Sequence, residues 1–110
     1  MALKKHWYHI LLALAEGAAH GAEIRRRVLK HTRGSLELYP AMLYGSLEDL
    51  EEMGFILVVD EQSDRPTGGS ERWRYMGLTP AGRDALAADT DEYQDMVRIA
   101  RDLLAKEASR

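Results

Sequence analysis

The chain has 110 residues and a mass of 12.4 kDa, room for one domain of ordinary size. Its 45% hydrophobic and 30% charged residues are a globular balance rather than a disordered one. Without any cysteine it can build no disulfide scaffold, cysteine zinc site or thiol catalyst. No apolar run approaches the ~20 residues that span a bilayer. The start, Met1 to His6, lacks the apolar core and small-residue cleavage site of a signal peptide. A cytoplasmic protein with no membrane partner is expected. The net charge of −3 is unevenly spread. Residues 1–33 carry +5, residues 34–64 carry −8, residues 65–83 carry +3 and residues 84–110 carry −3. Two basic blocks that meet on one surface would give an acidic protein a local positive face.

In chain order, Leu3, Trp7, Ile10, Leu11 and Leu14 recur at helical spacing and predict a first helix over 3–15, stopped at Glu16-Gly17. After the link Ala18 to Gly21, a second helix over 21–32 buries Ile24, Val28 and Leu29. It exposes Arg25, Arg26, Arg27 and Lys30, and Arg33-Gly34 ends it. Pro40 suits the first position of a third helix over 40–53, with Leu43, Leu47, Leu50 and Met53 as its stripe. Glu48, Asp49, Glu51 and Glu52 crowd the end of that helix against the dipole preference.

Phe55 to Val59 reads as a strand, and Arg72 to Met76 as a second one with alternating charge and aromatic character. The Pro- and Gly-containing stretch 60–71 would be the turn between them. Thr79-Pro80 caps a last helix with Leu86, Tyr93, Met96, Val97, Ala100, Leu103 and Leu104 at helical spacing. About 25 residues make a rod of roughly 38 Å, longer than twice the ~13 Å radius of gyration of a compact chain of this size. A second copy is the simplest cover for its far end.

The expected fold is mainly α with a small β-hairpin: a winged helix-turn-helix over 1–79 and a long C-terminal dimerisation helix over 80–110. The blocks Ile10 to Gly17, His20 to Ile24, Leu43 to Leu47, Leu50 to Ile56 and Arg74 to Arg83 resemble PadR-like transcriptional regulators, in that family's order. The resemblance covers about residues 9–104 and points to the small branch with a single C-terminal helix. It implies a homodimeric repressor whose third helix enters the major groove and whose wing touches backbone or minor groove. It also implies release from DNA by a phenolic or drug-like effector in some members. This chain departs from the family pattern at Glu48 and Asp49, where a basic residue is common, and at Met42, where a small hydroxyl residue is usual. Drug-sensing relatives use a Trp on the last helix, and this chain has none there.

Recognition helices touch bases with their N-terminal residues, here Ala41, Met42, Tyr44 and Gly45, with Ser46 nearby. Tyr44 can donate to a phosphate, or else be a half-buried core residue. Ser46 can bond a phosphate or a base edge, and Ala41 or Met42 can press a thymine methyl. Lys30, Arg33, Arg65, Arg72 and Arg74 are candidate phosphate contacts, set against an ordinary solvated face. The dimer interface is expected at Leu3, Trp7, Tyr93, Met96, Val97, Ala100, Leu103 and Leu104. Trp7, Tyr8, Tyr93 and Met96 could line a pocket for a small aromatic ligand, although interface core is the more expected job for them. His6 and His9 have the spacing to share a metal, but no third ligand completes the set, so a surface and a packed histidine are expected. His20 positions the link before the second helix. No catalytic motif and no cofactor site is visible. The expected function is a sequence-specific, DNA-binding homodimeric regulator, a repressor. The alternative is a dimeric protein-interaction module of the same fold with weak or lost DNA binding.

Overall fold

A computed structural model describes residues 3–59 and 74–109. Four helices and one strand pair follow in order: α1 (Lys5–Ala15), α2 (Gly21–His31), α3 (Pro40–Glu52), β1 (Ile56–Val58), β2 (Met76–Leu78) and α4 (Pro80–Ala108). The fold is the expected one, mostly helical with a two-stranded antiparallel sheet.

Helix α1 starts two residues later than the apolar pattern suggests. Leu3 precedes it, buried, with its backbone N–H donated to Asp89 Oδ2 at 2.9 Å. The helix ends at Ala15, and the chain turns away at Gly17, whose φ of 134° only glycine adopts readily. Helix α2 is capped by His20, whose Nδ1 accepts from the Glu23 N–H at 3.4 Å, so this histidine does position the link. At the other end Gly34 N donates to Leu29 O at 2.7 Å and Arg33 N to Lys30 O at 3.3 Å, a Schellman closure. Arg33, at φ 53°, takes the left-handed position usually given to glycine.

The core gathers Ile10 and Leu11 from α1, Ile24 and Val28 from α2, Leu38 from the turn, Leu50 from α3 and Ile56 from β1, all fully buried. The sheet register pairs Ile56 with Leu78, Leu57 with Gly77 and Val58 with Met76. Met76 also exchanges both backbone hydrogen bonds with Ala19, at 2.9 and 3.1 Å, so the α1–α2 link adds a one-residue rung. The second strand therefore lies C-terminal to the expected Arg72–Met76 and shares only Met76 with it. Met76 and Gly77 are buried against the helices. Burial of the apolar Met-Gly-Leu segment fixes the pairing, not the alternation of the preceding residues. Arg72, Trp73 and the expected turn 60–71 lie outside the described residues.

Helix α4 begins as expected. Thr79 Oγ1 accepts from Gly82 N at 3.0 Å and donates to Gly54 O at 2.6 Å. Its first turns dock on α1 through Leu86, Asp89, a hydrogen bond between the Tyr8 and Thr90 hydroxyls at 2.8 Å, and an edge-on contact of the Tyr8 and Tyr93 rings at 4.9 Å. Every described residue from 90 onward is exposed. With 29 residues the helix is about 43 Å long. The radius of gyration, 16.6 Å, exceeds the ~13 Å of a compact chain of this length.

Candidate nucleic-acid interface

The α2–turn–α3 unit presents the first turn of α3 outward. Pro40, Ala41 and Met42 are exposed, while Leu43, Ser46, Leu47 and Leu50 form the inward stripe. Ser46 is only 4% exposed, which corrects its expected place among the DNA contacts. Its spacing puts it on the same face as Leu43, Leu47 and Leu50, and that periodicity was the signal available.

Tyr44 is half-buried. Its ring lies over Gly21, so tightly that a Cβ there would stand 2.7 Å from the Tyr44 hydroxyl oxygen. Tyr44 thus braces α3 against the start of α2, and its edge lines a recess of about 320 Å³ with Ala22, Arg25, Leu38, Tyr39, Pro40 and Leu43. Tyr39, 65% exposed at the helix N-cap, belongs to this outward surface and was missed because a tyrosine is not a usual capping residue.

The arginine run on α2 is largely occupied by the protein itself. Arg25 pairs with Glu37. Arg26 and Arg27 both bind Glu23, at 2.6 and 2.9 Å, and the Arg26 hydrogen bond first of all holds the Glu23 carboxyl down at about 2. Arg27 also donates to Ala13 O at 3.0 Å and Gly17 O at 2.7 Å, closing the end of α1. Lys30 and Arg33 are exposed and have no acidic partner among the described residues. Arg74 reaches Glu51 of α3 at 3.3 Å, tying the base of the second strand to that helix. Arg65 and Arg72 lie outside the described residues. Glu48, Asp49, Glu51 and Glu52 are all exposed along the second half of α3.

On α4, Tyr93, Met96, Val97, Leu103 and Leu104 are exposed apolar groups, and Ala100 is exposed between them. Ile99, 55% exposed, widens this stripe; the sequence pattern passed over it because it sits at the stripe's edge. Leu3 does not belong to that surface, being buried in the chain's own core because its backbone is anchored to Asp89. The residues of the expected aromatic pocket face two ways. Tyr8 and Tyr93 meet between α1 and α4. Trp7 instead lines a depression with Asp49, Glu52 and Met53 of α3, one helical step of about 100° away. His6 lies edge-on to Trp7 and His9 edge-on to Tyr8. Among the described residues no group of three or more His, Asp or Glu is placed to hold a metal. No helix among them is long and apolar enough to cross a membrane.

A model of the transcriptional regulator PadR-like family matches residues 10–88, from the middle of α1 into α4. The chain belongs to the PadR-like family of transcriptional regulators. No curated protein matches it in sequence. Among solved structures, it is similar to a PadR-like regulator from Bacillus cereus, at 17% identity and TM-score 0.72 over 90% of each chain. A transcriptional regulator from Clostridium thermocellum superposes with TM-score 0.69 at 22% identity, over 87% of this chain and 89% of that one. RosR of H. salinarum does so with TM-score 0.65 at 23% identity, over 97% and 94%. At such identities the likeness is one of fold. It extends to the PadR-like winged helix with its long last helix.

Proposed function

We propose that this PadR-like protein is a sequence-specific DNA-binding repressor that acts as a homodimer in the cytoplasm. Residues 1–79 would be the DNA-binding unit, and 80–110 the dimerisation helix. The observation that carries the reading is the placement of two exposed surfaces: the first turn of α3, and the apolar stripe of α4 beyond residue 90. Two copies joined along that stripe would hold two third helices at a fixed separation, as half-sites of a duplex require. Lys30, Arg33 and Arg74, together with Arg65 and Arg72, would neutralise phosphates. Ala41 and Met42 would face the groove, and the Tyr44 hydroxyl would donate to a phosphate at its edge. A small aromatic effector would sit by Tyr8, Tyr93 and Met96, with the dimer partner closing the site.

The exposed carboxylates of α3 favour a second reading, a dimeric protein-interaction module with lost DNA binding. The two separate on salt. Affinity for duplex fragments from upstream of its own gene, followed by fluorescence anisotropy, should fall steeply between 50 and 200 mM salt, because each neutralised phosphate releases counterions. Lys30→Ala and Arg33→Ala should each weaken binding and lower the slope by up to about two phosphate contacts per dimer, one from each subunit. Absence of duplex binding at low salt would leave the interaction module as the surviving reading.

A further inference from the structure

Resting on the DNA-binding reading, we infer that the head of α3 selects thymine-bearing base pairs through their methyl groups, with Met42 and Tyr39 as the specificity-determining residues. Bidentate reading of adenine needs Asn or Gln, and of guanine Arg or Lys. Residues 39–47 contain none of the four. The remaining polar side chains are accounted for: Ser46 is buried and the Tyr44 ring is laid over Gly21. What faces outward is apolar apart from the Tyr39 hydroxyl. Tyr39 is 65% and Met42 45% exposed, with Pro40 and Ala41 exposed beside them. This surface runs into the recess walled by Leu38, Pro40 and Leu43, whose lining Arg25 is paired with Glu37. The thymine C5-methyl is the apolar feature of the major groove, and a polarizable, unbranched Met adapts its shape to such a contact.

Gly45 supports the same placement. It is exposed inside the helix, and a Cβ added to it would meet nothing within 4 Å. The fold therefore gives no reason for a residue that is disfavoured in helix interiors. A bare backbone one turn after Ala41 and Met42 lets α3 seat close to base edges. Glu48 and Asp49 follow on the exposed side. They repel phosphates and, being acceptors, could pair only with the amino groups of cytosine or adenine, which leaves the methyl contacts of the first turn to carry the discrimination.

The test uses the full chain. Duplexes bound from a random pool are selected, and each enriched thymine is then replaced by deoxyuridine, which removes one methyl and nothing else. Affinity should fall about fourfold for each contacted methyl. Met42→Ala, at an exposed position, should melt as the parent does, keep its salt slope and bind the thymine and uracil duplexes more nearly alike. Tyr39→Ala should narrow the same difference at a neighbouring base pair. Equal affinity of the parent for thymine and uracil duplexes would overturn the inference and leave DNA binding standing, as would an undiminished thymine preference in the Met42→Ala, Tyr39→Ala double variant. Recovery of no duplex from the pool at low salt would overturn both.

Discussion

His9 is favoured in its neutral form by the folded chain. Burial lowers its pKa from the ordinary 6.5, and the positive charges of Lys5 and His31 lower it further. His6 is shifted the same way by burial and Lys4, against a smaller pull from Asp49. A depressed histidine pKa means that the unfolded chain takes up protons first. The stabilisation is thus complete above pH 6.5 and is lost as the pH falls below it. Melting temperature should decline from pH 7.5 to 5.5, and a His6→Gln, His9→Gln variant should show a flatter profile. Glu23 acts in a separate window. Held at about 2 by Arg26 and Arg27 against an ordinary 4.5, its contribution is present above pH 4.5 and disappears toward pH 2. At this scale the sequence was partly legible. The N-cap role of Thr79 followed from residue type and position. The burial of Ser46 was hidden by its polarity, although the period of its neighbours pointed inward.

Gly82, in the first turn of α4, shows how an element is seated. A Cβ there would lie 2.0 Å from the backbone carbonyl oxygen of Phe55, and that peptide is itself fixed by a hydrogen bond from Thr79 N at 3.1 Å. Neither side can yield cheaply. Gly82→Ala should destabilise the protein by about 3 kcal/mol or more, read as a lower urea midpoint with an unchanged slope. Gly45→Ala should do the opposite and add up to about 1 kcal/mol. All four helices and the first strand were legible, because an apolar stripe at period 3.6 leaves few alternatives over eleven or more residues. The second strand was not. Three residues define no period, and beyond its burial the segment is held by the double hydrogen bonding of Met76 to Ala19, a contact between distant parts of the chain that no local pattern announces.

At the scale of the molecule the unusual feature is a helix that outruns its domain. Beyond Tyr93 every described residue of α4 is exposed, and Met96, Val97, Ile99, Leu103 and Leu104 among them are apolar. A segment of some fifteen residues is marginally helical by itself in water, so helix formation past residue 93 and its burial by a partner should be one event. The sequence announced this from length alone, since a rod longer than the domain's diameter must end uncovered. The proposed dimer makes the stripe its interface, and the pair Ile99→Glu, Leu103→Glu places two carboxylates within it. Light scattering should then report a single subunit, and circular dichroism a loss confined to the last turns of α4. The winged helix itself should still melt cooperatively, because Leu86, Asp89, Thr90 and Tyr93 remain in place. Operator affinity should drop by 10² or more once two half-sites are no longer bound as one unit. A variant that stays dimeric with unchanged affinity would move the interface off this helix, and the proposed spacing of the two α3 heads would go with it.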